Sequence, residues 1–203
     1  MPLNKKNMLM IFFPFFICGN VTHADDGFWK DTKTGLMWSR CSIGQKWNGN
    51  TCTGKPILLK YSDAQEYIEN FINSGNSLYK NWRVPTIKEL ADIRYCSKGW
   101  KYKIYTESRL TPEGRKNFEV KGEQPIMAQL YNGYGYVPLQ CSSDSSSPTI
   151  DTKIFPNTPS KWYLSSTQCP SGEMFVVSFT EGFVNGCSAR YVEHYVRAVR
   201  TIE

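Results

Sequence analysis

The stretch Asn81–Leu90, NWRVPTIKEL, decides how the rest of the chain is read. Pro85 fixes its own backbone and pushes Val84 into an extended conformation. Thr86 is placed to cap a helix, and Glu89, three residues on, completes a capping box. A strand-like Trp82-Arg83-Val84 should therefore turn sharply into a helix from about Ile87. Ile87, Leu90 and Ala91 share one face of that helix at helical spacing. The corner also brings an arginine and a carboxylate together. A buried ion pair of Glu89 with Arg83 or with Arg197 is expected, and its expected role is structural.

Upstream of the corner, Tyr61–Gly75, YSDAQEYIENFINSG, is a second helix. Ser62 is expected to cap it, with Gln65 completing a capping box. Ala64, Tyr67, Ile68, Phe71 and Ile72 form its apolar face, and Gly75 can end it. Before it, Phe28–Arg40, FWKDTKTGLMWSR, reads as a β-hairpin turning at Thr34-Gly35. Cys41 and Cys52 bracket a loop rich in Gly, Asn and Thr, which has little to bury and is suited to a disulfide across its ends.

Downstream, Lys98–Tyr105, KGWKYKIY, alternates strictly. Trp100, Tyr102 and Ile104 fall on one face; Lys101, Lys103 and Tyr105 fall on the other. A half-buried strand with its lysines in water explains this pattern. An exposed basic and aromatic patch for an anionic glycan explains it as well, with Lys98, Lys101, Lys103 and Tyr105 as the contacts. Tyr131–Tyr136 is a turn-rich aromatic loop, and Tyr134 and Tyr136 are candidate stacking residues for sugars. Trp162, Leu164 and Phe155 are expected core anchors. Ser165, Ser166 and Thr167 look like nucleophiles, but the G-x-S-x-G elbow is missing and only His194 lies beyond residue 24 to support them. Met174–Phe179 and Phe183-Val184 form a hairpin around Glu181-Gly182, and Tyr191–Arg200 reads as a closing strand with Val196 and Ala198 on one face.

These stretches occur in a familiar order. The corner NWRVPTIKEL, the run GLMWSRC at Gly35–Cys41 and the S-x-A-x-x-Y opening of the first helix resemble the DUF1566 family, also called the Lcl C-terminal domain family. WYLSST at Trp162–Thr167 and YVRAVR at Tyr195–Arg200 complete the resemblance. Many members carry a cysteine where this chain has Ala198. The corner is also distantly similar to formylglycine-generating enzymes, but the similarity stops there and implies their fold rather than their oxidase chemistry. The resemblance implies an α+β, C-type-lectin-like fold: two helices beside short antiparallel strands and long disulfide-tied loops. It also implies a binding role, because a collagen-like member of the family binds sulfated glycosaminoglycans through this domain.

Composition narrows the function classes. Lys5-Lys6 followed by the apolar Met8–Gly19 and by Thr22-His23-Ala24 reads as a signal peptide over residues 1–24, leaving one domain over 25–203. The apolar run is shorter than the roughly 20 residues a membrane span takes, so no span is expected after cleavage. The formal charge of +6 loses the contributions of Lys5 and Lys6, which is too mild a balance for nucleic acid. Six cysteines remain: Cys41, Cys52, Cys96, Cys141, Cys169 and Cys187. An even number in an exported chain argues for disulfides. Local closure favours Cys41–Cys52 and Cys169–Cys187, and elimination leaves Cys96–Cys141. One histidine and paired cysteines cannot build a zinc site. Gln124-Pro125-Ile126 departs from the calcium-lectin pattern, so no metal, no cofactor and no catalytic residue are expected. Two classes remain: a bacterial periplasmic or secreted module that binds anionic glycans for adhesion, or a periplasmic protein-binding partner such as a toxin inhibitor or immunity protein. N-terminal sequencing of protein recovered from the periplasm should begin at Asp25; a membrane-bound product retaining Met8–Gly19 would refute the leader.

Overall fold

A computed structural model describes residues 26–73, 79–102, 127–129, 136–169 and 172–202, and for 71–73, 101–102, 127–129, 136–139 and 185–187 only the backbone. Among the described residues two helices, α1 (Tyr61–Asn73) and α2 (Ile87–Asp92), sit with eleven short strands, an α+β arrangement. All strand pairs are antiparallel. The opening hairpin forms as expected: β1 (Phe28–Asp31) pairs with β2 (Leu36–Ser39), and Gly35 supplies the left-handed residue of the turn. The last strand, β11 (Val199–Thr201), adds to the other edge of β2, so the two ends of the domain close on one sheet. A second sheet runs β8 (Trp162–Gln168), β9 (Met174–Ser178), β10 (Phe183–Ser188), with β9 in the centre. A third sheet places β7 (Tyr136–Cys141) between β5 (Trp100–Tyr102) and β6 (Met127–Gln129). The hairpin β3 (Lys46–Trp47) and β4 (Cys52–Thr53) lies inside the Cys41–Cys52 loop.

The core has two halves with the main strands between them. Trp38, Tyr163, Val177 and Val199 belong to one half, and their neighbours Met37, Leu164, Val176 and Ala198 belong to the other. Successive residues of a strand face opposite ways, so strands with both neighbours buried form a central layer apolar on both faces. α2 covers the first face with Leu90 and Ala91, and α1 covers the second with Ala64 and Ile68. Each of these four helix side chains is at most 2% exposed, and full burial of a larger one such as Leu90 or Ile68 contributes roughly 1.5–3 kcal/mol.

Three sequence expectations change. Ser62 does not cap α1: the helix starts one residue earlier, Lys60 O accepts from Ala64 N, and the Ser62 hydroxyl bonds Asp63. Gln65 turns instead to Glu69. The closing segment 191–200 is not one long strand; pairing reaches only Val199–Thr201, after single bridges at His194 and Tyr195. Its alternation still holds, with Val196 and Ala198 in one half of the core and Val199 in the other. Lys98 lies in a turn before β5, not on the strand, because Gly99 takes a left-handed φ of 80° and its N–H bonds Cys96 O.

Cys41–Cys52 and Cys96–Cys141 are bonded as expected. In the chain-entropy model they stabilise the fold by roughly 2–3 and roughly 4 kcal/mol, the larger value for the longer loop. The expected Cys169–Cys187 pairing falls on Cys187, whose side chain lies outside the described residues; Cys169 is buried at the mouth of the β8–β9 turn. Gly182 sits against the second disulfide at a φ of 64°, and a methyl group there would collide with the Cys141 sulfur. Gly182→Ala should therefore lower the unfolding free energy by about 1–3 kcal/mol, read as a lower denaturant midpoint under oxidising conditions. An unchanged midpoint would show that the β9–β10 turn and the disulfide can separate.

Candidate functional site

The corner forms as the sequence indicates. Arg83 pairs with Val199 through two backbone hydrogen bonds of 2.9 and 3.0 Å, which dock the corner onto the end of the chain. Thr86 caps α2, its hydroxyl accepting from Glu89 N, while the Glu89 carboxylate accepts from Thr86 N at 2.7 Å. The same carboxylate takes both terminal nitrogens of Arg83, at 2.6 and 2.7 Å. This is a bidentate pair, the strongest geometry for these groups. It is half-buried rather than buried, with side chains 36% and 18% exposed. Burial alone would raise the Glu89 pKa, but Arg83 and the Thr86 amide outweigh it and hold the carboxyl below its ordinary 4.5.

Two hydroxyls complete the corner from β8. Ser166 N donates to Pro85 O at 2.7 Å, and the Ser166 hydroxyl donates to the same oxygen. Thr167 Oγ1 accepts from Ile87 N at 2.9 Å, satisfying one of the open N–H groups at the start of α2. Ser165 instead donates across the sheet to Phe175 O. Two of the apparent nucleophiles thus hold a helix against a strand, and the third holds β8 to β9.

Arg197 does not reach Glu89. It is completely buried, and no carboxylate pairs with it among the described residues. Its guanidinium donates to Ser39 O at 2.8 Å, to Arg40 O, to Thr158 Oγ1 at 2.7 Å and to Ser42 Oγ at 3.3 Å. It lies over the Phe155 ring at 4.6 Å, a cation–π contact. Ser42 in turn bonds the Tyr163 hydroxyl at 2.6 Å, and Thr158 donates to Phe155 O. Burial lowers the arginine's pKa. Arg94 is built similarly: buried, donating to Ala91 O and Gly182 O, stacked on Trp100 at 4.6 Å, with its pKa lowered by burial to about 10.

His194 has a partner that the sequence reading passed over. Its Nε2 lies 2.7 Å from Ser188 Oγ, while its backbone exchanges two hydrogen bonds with Leu59. Among the described residues no carboxylate bonds the ring's other nitrogen, so the triad arrangement that activates a serine is not assembled here. Burial lowers the histidine's pKa.

Of the expected ligand contacts, Lys98 is exposed, and its N–H bonds Ser145 in the polar loop. Lys101 is registered opposite Gln140 in the third sheet, and Tyr136 opposite Gln129. Their side chains, with Lys103, Tyr105 and Tyr134 altogether, lie outside the described residues. Among the described residues no cluster of His, Cys, Asp and Glu could hold a metal, and no helix is long and apolar enough to cross a membrane.

Residues 27–200 match the family model of the Lcl C-terminal domain, nearly the whole described chain. No curated protein and no solved structure matches the chain.

The corner's exposure sets the size of its contribution. Glu89→Gln weakens a half-exposed pair and one arm of a capping box, a loss of about 1–2 kcal/mol. That is less than the 3–5 kcal/mol of breaking a buried pair. The lowered pKa makes Glu89 stabilising above pH 4.5, with that stability lost as pH falls through the folded-state value. Thermal melts should show a small loss at pH 7 for Glu89→Gln and a shallower decline in acid than wild type. Arg197→Ala should lose far more at every pH. Equal losses for the two variants would contradict this ranking.

Proposed function

The chain belongs to the Lcl C-terminal domain family, and from that we propose that it is an exported, non-catalytic binding module. The observation that carries the reading is where its reactive-looking groups go. Arg83 and Glu89 bind each other, Ser165, Ser166 and Thr167 bind backbone, and Arg197 is sealed in the core. Two disulfides agree with export to a periplasmic or extracellular compartment. Two helices with short, loop-broken antiparallel sheets support the finer reading of a C-type-lectin-like arrangement.

The proposed ligand is an anionic glycan, held at the turn and strand that follow Cys96. Lys98 stands exposed there, and Lys101 lies on β5, which the Cys96–Cys141 disulfide fastens to β7. Lys103, Tyr105, Tyr134 and Tyr136 complete the proposed contacts. Each exposed contact is worth about 1 kcal/mol or less and is screened over about 8 Å at physiological salt. Useful affinity therefore requires several contacts or several copies of the domain. A second reading, a periplasmic protein partner such as a toxin inhibitor or immunity protein, is favoured by the exposed apolar side chains of Leu58, Tyr191 and Val192 on the two segments that meet at the Leu59–His194 bridge.

Retention on heparin at low salt tests the glycan reading. Wild type should elute at higher salt than a Lys101→Glu/Lys103→Glu variant. Co-elution of the two would reduce the lysines to a solvated strand face. Failure of wild type to bind would move the balance to the protein partner.

A further inference from the structure

Four large apolar side chains stand in solvent among the described residues, and three of them lie on the two segments joined at the antiparallel Leu59–His194 bridge. Leu58 is 47% exposed, Tyr191 76% and Val192 39%. The antiparallel direction carries Val192 and Tyr191 toward the start of α1 and Leu58 the other way, toward Tyr195. Beside this bridge a groove of about 410 Å³ opens to solvent, lined by Leu59, Asp63, Glu66, Tyr67 and Asn70. Its volume is that of ordinary ligand clefts, about 300–1,000 Å³.

The groove follows from the helix. Asp63, Glu66, Tyr67 and Asn70 recur at i, i+3, i+4 and i+7, one stripe along α1, beside the buried stripe of Ala64 and Ile68. Leu59 closes the near wall because its backbone is pinned to His194. The lining carries two carboxylates and no cation. Among the described residues Asp63 accepts a hydrogen bond from its neighbour Ser62, and no ion pair to Glu66 is formed. Lys60 and Glu193 flank the bridge with opposite charges, so the local balance stays negative.

We propose that this face docks a protein partner whose anchor is an arginine or lysine side chain laid in the α1 groove. An apolar wall with carboxylates at its rim suits a side chain with an aliphatic stem and a cationic head. The exposed Tyr191 and Val192, on the segment that runs toward the start of α1, offer apolar contact beside such an anchor. The negative lining repels the polyanion proposed for the lysine turn, so the two surfaces select opposite charges. The inference rests on the binding-module reading and is independent of the glycan.

The probe is a capped leucine-arginine-leucine peptide, compared with analogues carrying citrulline or glutamate at the centre. Citrulline keeps the shape and removes the charge. Backbone amide shifts of the whole protein should move saturably at Leu59, Asp63, Glu66 and Tyr67 with the arginine peptide. Citrulline should bind at least about fivefold more weakly, the effect of one exposed charge contact. Glutamate should not bind. Glu66→Gln, at an exposed helix position, should weaken the arginine peptide about fivefold and leave citrulline unchanged. Equal binding of arginine and citrulline, shifts confined to other surfaces, or no binding by any peptide would overturn the proposal. Heparin retention of Glu66→Gln should match wild type, so the glycan reading and this one fail separately.

Discussion

A buried arginine that meets no carboxylate among the described residues holds this domain together. Arg197 arrives from the last segment of the chain and meets the end of β2 at Ser39 and Arg40, the start of the disulfide loop at Ser42, and the Phe155–Thr158 turn. Those segments already share apolar contacts such as Trp38 with Phe155, and the guanidinium adds to them by filling their open carbonyl and hydroxyl acceptors. Five donors in a rigid plane suit this better than a lysine's compact charge. The charge is compensated by oxygen dipoles and aromatic faces rather than by an anion. Removing the arginine would orphan several buried acceptors at once, and each costs about 1–3 kcal/mol. The opening and closing strands can share a sheet because this contact fixes the crossing between them.

From that contact the two-faced layer follows. The strands that meet around Arg197 alternate their side chains between two half-cores, and each half needs a cover. α1 and α2 supply one each. α2 is only six residues long, too short to stand by itself, and is held by its capping box, the Arg83 pair and Thr167 from β8. Its polar groups are consumed in doing so. Chemistry at the corner would disturb the same bonds that keep the helix in place. The lysine turn after Cys96 and the α1 groove are both peripheral, and both are anchored behind, one by a disulfide and one by the Leu59–His194 bridge.

Local patterns made much of this readable. The hairpin at Thr34-Gly35, the α2 capping box, the apolar face of α1 and the β9–β10 turn each depend on residues within a few positions of one another. The Cys41–Cys52 bond is of the same kind, since it closes a short loop. The expectations that failed concern ends and partners. Ser62 was displaced as a cap because the helix could start one residue earlier, and the closing strand is shortened because its neighbours are met singly. The Arg83–Glu89 pair was foreseen, but its half-burial depends on what lies over it, which no local pattern records.

The sequence by itself determined the opening hairpin, the two helices, the family order of motifs and the Cys41–Cys52 tie. Those features are written in spacing, in backbone preference and in loop closure, all of them local. Only the tertiary structure decided what Arg197 binds, which hydroxyls complete α2, that His194 meets Ser188, and that α1 leaves an acidic groove beside an apolar bridge. Thr167 and Ile87 stand 80 positions apart, and Arg197 and Ser39 stand 158 apart. A contact across such distances follows from how whole layers pack, and no run of neighbouring residues encodes it.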